Sequence, residues 1–174
     1  MRMLSLLPLV LFAAPLFAQD VVTPANTVPI TTDVNPPAGA HLLFEAHGDG
    51  DQIYLCAVHN LIAAWQLKYP DAKLLDASGQ PIGSHYAGPS WKLSDGSVVQ
   101  GTVIGSKPSP EDGSIPWLLL RASYHEGKGK LSDVEYIRRS DTHGGVAPTT
   151  GCARNRAGQQ AHVHYTATYG FYGK

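Results

Sequence analysis

Turn-forming residues recur along most of this chain, and the runs between them are short and rich in β-branched, aromatic and leucine residues. Ser78-Gly79-Gln80-Pro81, Asp95-Gly96, the stretch 108–113, Gly127-Lys128-Gly129 and Gly144-Gly145 separate segments at 72–76, 91–93, 97–104, 115–124, 133–139 and 161–172. Glycine and proline at these spacings punctuate an antiparallel sandwich or barrel. No segment between them carries the helical periodicity that a parallel sheet needs for its crossovers, and neither a dinucleotide glycine fingerprint nor a phosphate loop is present. The expected fold is therefore all-β, a single antiparallel β-barrel or β-sandwich. Earlier in the chain, 41–47 and 51–59 flank Gly48-Asp49-Gly50, which reads as a hairpin with its turn at the glycines. In the second run Ile53, Leu55 and Ala57 share one face and Tyr54, Cys56 and Val58 the other, as in a strand covered on both sides. Residues 60–69 carry two patterns, Leu61, Ile62 and Trp65 at helical spacing and a strand-like alternation from Trp65 to Tyr69, and the strand is favoured because the neighbouring elements are strands.

Residues 1–18 have the form of a secretory signal peptide: Arg2 near the start, an apolar run interrupted by Pro8 and Pro15, and the small residue Ala18 at the end. Residues 19–40, with four prolines and no aromatic residue, are expected to form an extended arm, and residues 41–174 the β domain. An exported protein follows, periplasmic or extracellular, with no membrane span after signal cleavage. Cleavage would leave 12 Lys and Arg against 14 Asp and Glu. That weak balance gives no electrostatic footprint for nucleic acid. Cys56 and Cys152 are the only cysteines, and in an oxidising compartment they are expected to form a disulfide. In the chain-entropy model, closing so long a loop is worth about 4–5 kcal/mol.

The most specific segment is 82–101. Gly88-Pro89 and Asp95-Gly96-Ser97 impose two changes of direction, with His85, Tyr86 and Trp91 placed between and beside them. Tyr86 and Trp91 are expected to be partly exposed and, with His85, to form a ligand-binding surface; Trp117, within Pro-Trp-Leu-Leu-Leu, is expected in the core. Ser84, Ser90, Asp76 and Asp95 lie near His85 in sequence, but no strand-to-helix elbow gives either serine an activating base. The acidic pairs Asp49 with Asp51 and Glu111 with Asp112 fall in glycine-containing turns, where they cap and solubilise. His162 and His164 are two apart on an expected strand, so their rings share a face at a spacing that can begin a zinc or copper site. A third ligand is not singled out by spacing.

The combination of Gln52-Ile53-Tyr54 with Cys56, Trp65, Gly83, His85-Tyr-Ala-Gly-Pro-Ser-Trp91, Asp95-Gly-Ser97 and Ile115-Pro-Trp-Leu-Leu-Leu120 resembles the domain of unknown function 3455 family of exported bacterial and fungal proteins. Val134 to Arg139, Thr142, Gly144-Gly145, Cys152, Tyr165-Thr-Ala167 and Phe171-Tyr172 extend the resemblance through nearly all of the domain. It implies an exported, β-rich domain and supplies no reaction or ligand. Where the family pattern has an apolar residue and proline before Tyr165, this chain has His162-Val163-His164. The function expected is a non-catalytic module that binds an unknown small molecule, glycan or envelope component, with no cofactor. The alternatives are a metal-dependent oxidoreductase or hydrolase using a histidine site, and a structural envelope protein.

Overall fold

The computed structural model describes residues 29–174, so the expected signal peptide and the first part of the arm lie outside the described residues. Eight strands, β1 (His41–His59), β2 (Ile62–Leu75), β3 (Pro81–Tyr86), β4 (Ser90–Leu93), β5 (Val98–Lys107), β6 (Trp117–Glu126), β7 (Tyr136–Gly144) and β8 (Gln160–Gly173), follow one another with a single 3-10 turn, Arg154–Arg156. Each strand pairs antiparallel with the next, and β8 pairs with β1, so the sheet closes into an eight-stranded barrel. The all-β expectation holds, and between its two forms the closed barrel is the one adopted. No helix among the described residues is long and apolar enough to cross a membrane.

The first expected hairpin is not there. β1 runs unbroken through Gly48-Asp49-Gly50, because these glycines serve close packing and do not turn the chain. A Cβ on Gly48 would lie 2.6 Å from the Tyr169 ring, and one on Gly50 would lie 2.2 Å from the Asp71 carbonyl oxygen. The chain reverses instead at Asn60-Leu61, with φ of 48° and 68° between the paired His59 and Ile62. Two consecutive left-handed residues make the tight turn that matches strand twist. Leucine is a costly residue there, and its side chain is 70% exposed. β2 joins 60–69 and 72–76 into one strand across Pro70, which a shift in register at Ile53/Tyr54 accompanies. β3 is an additional strand, absent from the periodicity reading because Gly83 breaks its alternation.

The interior is filled by side chains. Large inward residues, Trp91, Tyr165, Tyr169, Phe171 and Leu120, are each almost wholly buried. They fit because small residues face them: Ala46, Gly48, Ala72, Gly101 and Ala167 lie on strands around the wall. Phe44 stacks on Phe171 with ring centroids 4.6 Å apart. Trp117 departs from expectation. It lies half-buried on the outer face, in a smaller cluster with Val34, Leu119 and Tyr136, and Lys107 Nζ stands 4.8 Å above its ring. Its place in β6 is out of phase with the inward Leu118 and Leu120, and that phase, not its hydrophobicity, decides its side.

Two further ties fix loops to the barrel. The Cys56 and Cys152 sulfurs are bonded, with Cα atoms 5.3 Å apart, which holds the loop before β8 against β1. Upstream of β1, Thr31 bridges to Gly105 in a parallel sense, and Val34 of the same segment is 2% exposed, packed in a cluster with Leu119 and Tyr136. The described part of the proline-rich segment therefore lies along the barrel as an added edge.

These contacts predict opposite effects for two substitutions. Gly50→Ala should destabilise by about 1–3 kcal/mol, since backbone atoms of β2 must move. Leu61→Gly should stabilise by about 0.5–1 kcal/mol by relieving the left-handed leucine. Urea denaturation of the two variants and the parent gives both numbers, and a neutral Gly50→Ala would contradict the close approach of β1 and β2.

Candidate functional site

His85, Tyr86 and Trp91 do not form one surface. Strand alternation sends His85 and Tyr86 to opposite faces of β3, leaving His85 3% exposed and Tyr86 37% exposed. Trp91, opposite His85 on β4, is 1% exposed, which corrects the expectation that it is partly exposed. The two rings stack inside the barrel, 4.4 Å apart and 10° from parallel, with Tyr169 tilted against the imidazole at 5.0 Å. The Gly-Pro corner turns Trp91 inward because the register of β3 with β4 requires it.

The position of His85 fixes its chemistry. Nδ1 lies 2.9 Å from the Ser90 carbonyl oxygen, so Nδ1 carries the proton and donates it. Burial pushes its pKa down to about 3, the Ser90 carbonyl acts in the opposite sense, and the nearby Arg139 guanidinium adds to the fall. A ring held neutral in this way packs as an aromatic core residue. Arg139 is paired with the inward Tyr169, and its Nε and Nη2 donate to the Pro116 carbonyl oxygen at 3.1 and 2.8 Å. The Tyr165 and Tyr169 hydroxyls, 3.2 Å apart, complete a buried polar layer beside them.

His162 and His164 lie on the outer face of β8, as their spacing requires, beside Asp49 and Asp51 of β1. No third histidine joins them. Among the described residues, no group of three or more His, Cys, Asp or Glu side chains is placed so that it could hold a metal ion.

A different set is assembled where the loop after β5 meets β7. His143 Nδ1 lies 2.5 Å from Glu111 Oε2 and donates to it, while the Ser114 hydroxyl donates to Glu111 Oε1 at 3.2 Å. The Gly144 N–H in turn donates to Ser114 Oγ at 3.0 Å. Both carboxylate oxygens are thus engaged, and the carboxylate fixes the ring orientation of His143. With Nδ1 engaged by the carboxylate, Nε2 is the ring nitrogen left for an outside partner. Glu111, His143, Ser109, Asp141 and Trp117 line a cleft of about 170 Å³. An adjoining cleft of about 450 Å³ shares Ser109 and Glu111 and is lined also by Lys107. Asp141 holds the left-handed conformation, φ 48°, at the bulge in β7 that turns this wall. The site was missed in the sequence because its acid and its imidazole are 32 residues apart, and Glu111 sits in a turn where an acidic residue needs no special explanation.

The fold and cleft define a closed, side-chain-filled antiparallel barrel with an externally placed carboxylate–imidazole pair. A family model described as a protein of unknown function, DUF3455, matches residues 37–173, and the chain belongs to that family. No curated protein and no solved structure matches the chain.

The buried His85 makes stability pH-dependent. As pH falls below 6.5 the unfolded chain takes up a proton at this residue, whereas the folded protein does not until about pH 3. Stability contributed by the neutral ring is therefore complete above pH 6.5 and declines below it, with a slope approaching about 1.4 kcal/mol per pH unit. Urea melts between pH 7 and 4.5 should show this slope, and His85→Gln should flatten it by one proton despite being less stable throughout. An unchanged slope would mean that His85 titrates alike in the folded and unfolded states.

Proposed function

We propose that this protein is an exported, non-catalytic module that binds a small polyhydroxylated ligand, such as a glycan unit, in the cleft of Glu111, His143 and Trp117. The observation that carries the reading is the hydrogen-bonded chain from the Gly144 N–H through Ser114 and Glu111 to His143, which orients an imidazole on a cleft wall. The second ring nitrogen of His143, the Ser109 hydroxyl and Asp141 supply polar groups of the kind sugar hydroxyls require, and Trp117 adds indole surface to the cleft wall.

Several observations favour binding over the other readings. The barrel interior is occupied by core side chains, so space for a ligand lies in the outer clefts. Among the described residues no Ser, Thr, Tyr or Cys side chain hydrogen-bonds an imidazole nitrogen, the pairing that nucleophilic catalysis uses. Export is supported by the signal-like residues 1–18 and by the Cys56–Cys152 disulfide, which fits an oxidising compartment. In this reading residues 19–40 are the arm and 41–174 the binding domain.

A panel of neutral and acidic saccharides, followed by tryptophan emission and calorimetry, tests the site. Binding is expected to perturb Trp117 and to weaken about tenfold in His143→Ala and in Glu111→Gln, equivalent to about 1.4 kcal/mol. Silence across the panel, or binding indifferent to His143→Ala, would remove the proposal.

A further inference from the structure

We infer that the tip of the β1–β2 hairpin docks on an anionic lipid bilayer, with Leu61 and Ile62 entering the headgroup layer and Lys68, Arg154 and Arg156 facing its phosphates. The hairpin projects past its neighbours, since β8 last pairs with β1 at Leu55 and β3 reaches β2 only from Ala72 onward. Beyond those points Cys56 to His59 and Ile62 to Trp65 are paired as strands only with each other. At the end of the hairpin Ile62 and Leu61 are 71% and 70% exposed, more than any other large hydrophobic side chain among the described residues. Leu61 also holds φ 68°, where glycine is the favoured residue, and so little burial does not offset that strain within the fold. An exposed apolar pair on a strained, projecting turn points to a contact outside the chain.

Charge identifies the occupant. The segments 54–69 and 146–160 contain Lys68, Arg154 and Arg156 and neither Asp nor Glu, in a chain whose acidic residues outnumber Lys and Arg by 14 to 13. The fold brings these segments together. Cys56 is bonded to Cys152, the Trp65 indole N–H donates to the Thr150 carbonyl at 2.8 Å, and the Gly158 N–H donates to the Cys56 carbonyl at 2.9 Å. The three cations are exposed, and none of the ion pairs among the described residues uses them. Apolar side chains at a tip, with unpaired cations set back from it, suit an anionic interface: the former enter the headgroup boundary and the latter meet phosphate. Each Lys or Arg near such a surface strengthens binding about fivefold. A second copy of the chain is disfavoured as occupant, because two such ends would bring like charges together. The tip shares no residue with the Glu111–His143 cleft.

Flotation with vesicles of phosphatidylcholine alone, and of phosphatidylcholine with phosphatidylglycerol, tests the assignment on the chain cleaved after Ala18, which lacks the apolar residues 1–18. Binding to the phosphatidylglycerol vesicles is expected to exceed binding to phosphatidylcholine alone at least about tenfold, and to fall as salt rises. Leu61→Gly/Ile62→Ser should weaken it at least about tenfold, and Arg154→Gln/Arg156→Gln by a similar factor. All four positions are exposed, and the glycine relieves the left-handed leucine, so urea melts of both double variants should match the parent's or exceed them. Three results would overturn the assignment: no binding to the anionic vesicles, binding retained in either double variant, or a dimer that Leu61→Gly/Ile62→Ser dissolves in place of vesicle binding.

Discussion

Closure between β1 and β8 is the contact on which the barrel depends. Fourteen register pairs, from His41 with Gly173 to Leu55 with Gln160, join segments more than a hundred residues apart. Every other neighbouring pair could form as a local meander, but only this seam removes both open edges and gives the sheet an inside. The seam also determines composition. β8 contributes Tyr165, Ala167, Tyr169 and Phe171 inward, and β1 answers with Phe44, Ala46, Gly48 and Gly50, so bulk on one strand meets space on the other. A leucine or valine at Gly48 would have no place while Tyr169 occupies it.

That packing explains why the barrel is not a container. Its aromatic interior absorbs the residues that, on the surface, would make a binding platform, and His85 is held neutral among them. The disulfide acts next to the seam, at the end of β1 where β8 stops pairing. Backbone bonds from Cys56 to Gln159 and from Gly158 to Cys56 carry the contact a little further before the cystine takes over. The clefts that remain lie outside, one of them between the loop after β5 and the wall of β7.

The sequence was legible where physical effects are local. Turn residues announced most strand ends, the signal for an antiparallel closed or layered sheet was correct, and the only cysteine pair is bonded. Legibility failed where the cause lies across the barrel. Gly48-Asp49-Gly50 has the composition of a turn, yet its glycines answer to Tyr169 and to the β2 backbone, which no window of sequence contains. Trp91 and Trp117 have similarly ambiguous surroundings in the chain; strand phase alone puts one at the centre and the other outside. For the sites, the His162 and His164 spacing was visible, but their aspartate neighbours came only with register. The Glu111–His143 pair left no local trace.

The three tryptophans occupy three distinct optical environments. Trp91 is enclosed and stacked on an uncharged imidazole, Trp65 donates its indole N–H to the Thr150 carbonyl at 2.8 Å beside the cystine loop, and Trp117 lies beneath cationic side chains at the cleft. Single-tryptophan versions of the chain would therefore follow core packing, the tethered loop and the outer cleft as separate signals, with no added label. The partition of aromatics between inside and outside, imposed by barrel closure, makes the folding of the core and events at the surface spectroscopically separable.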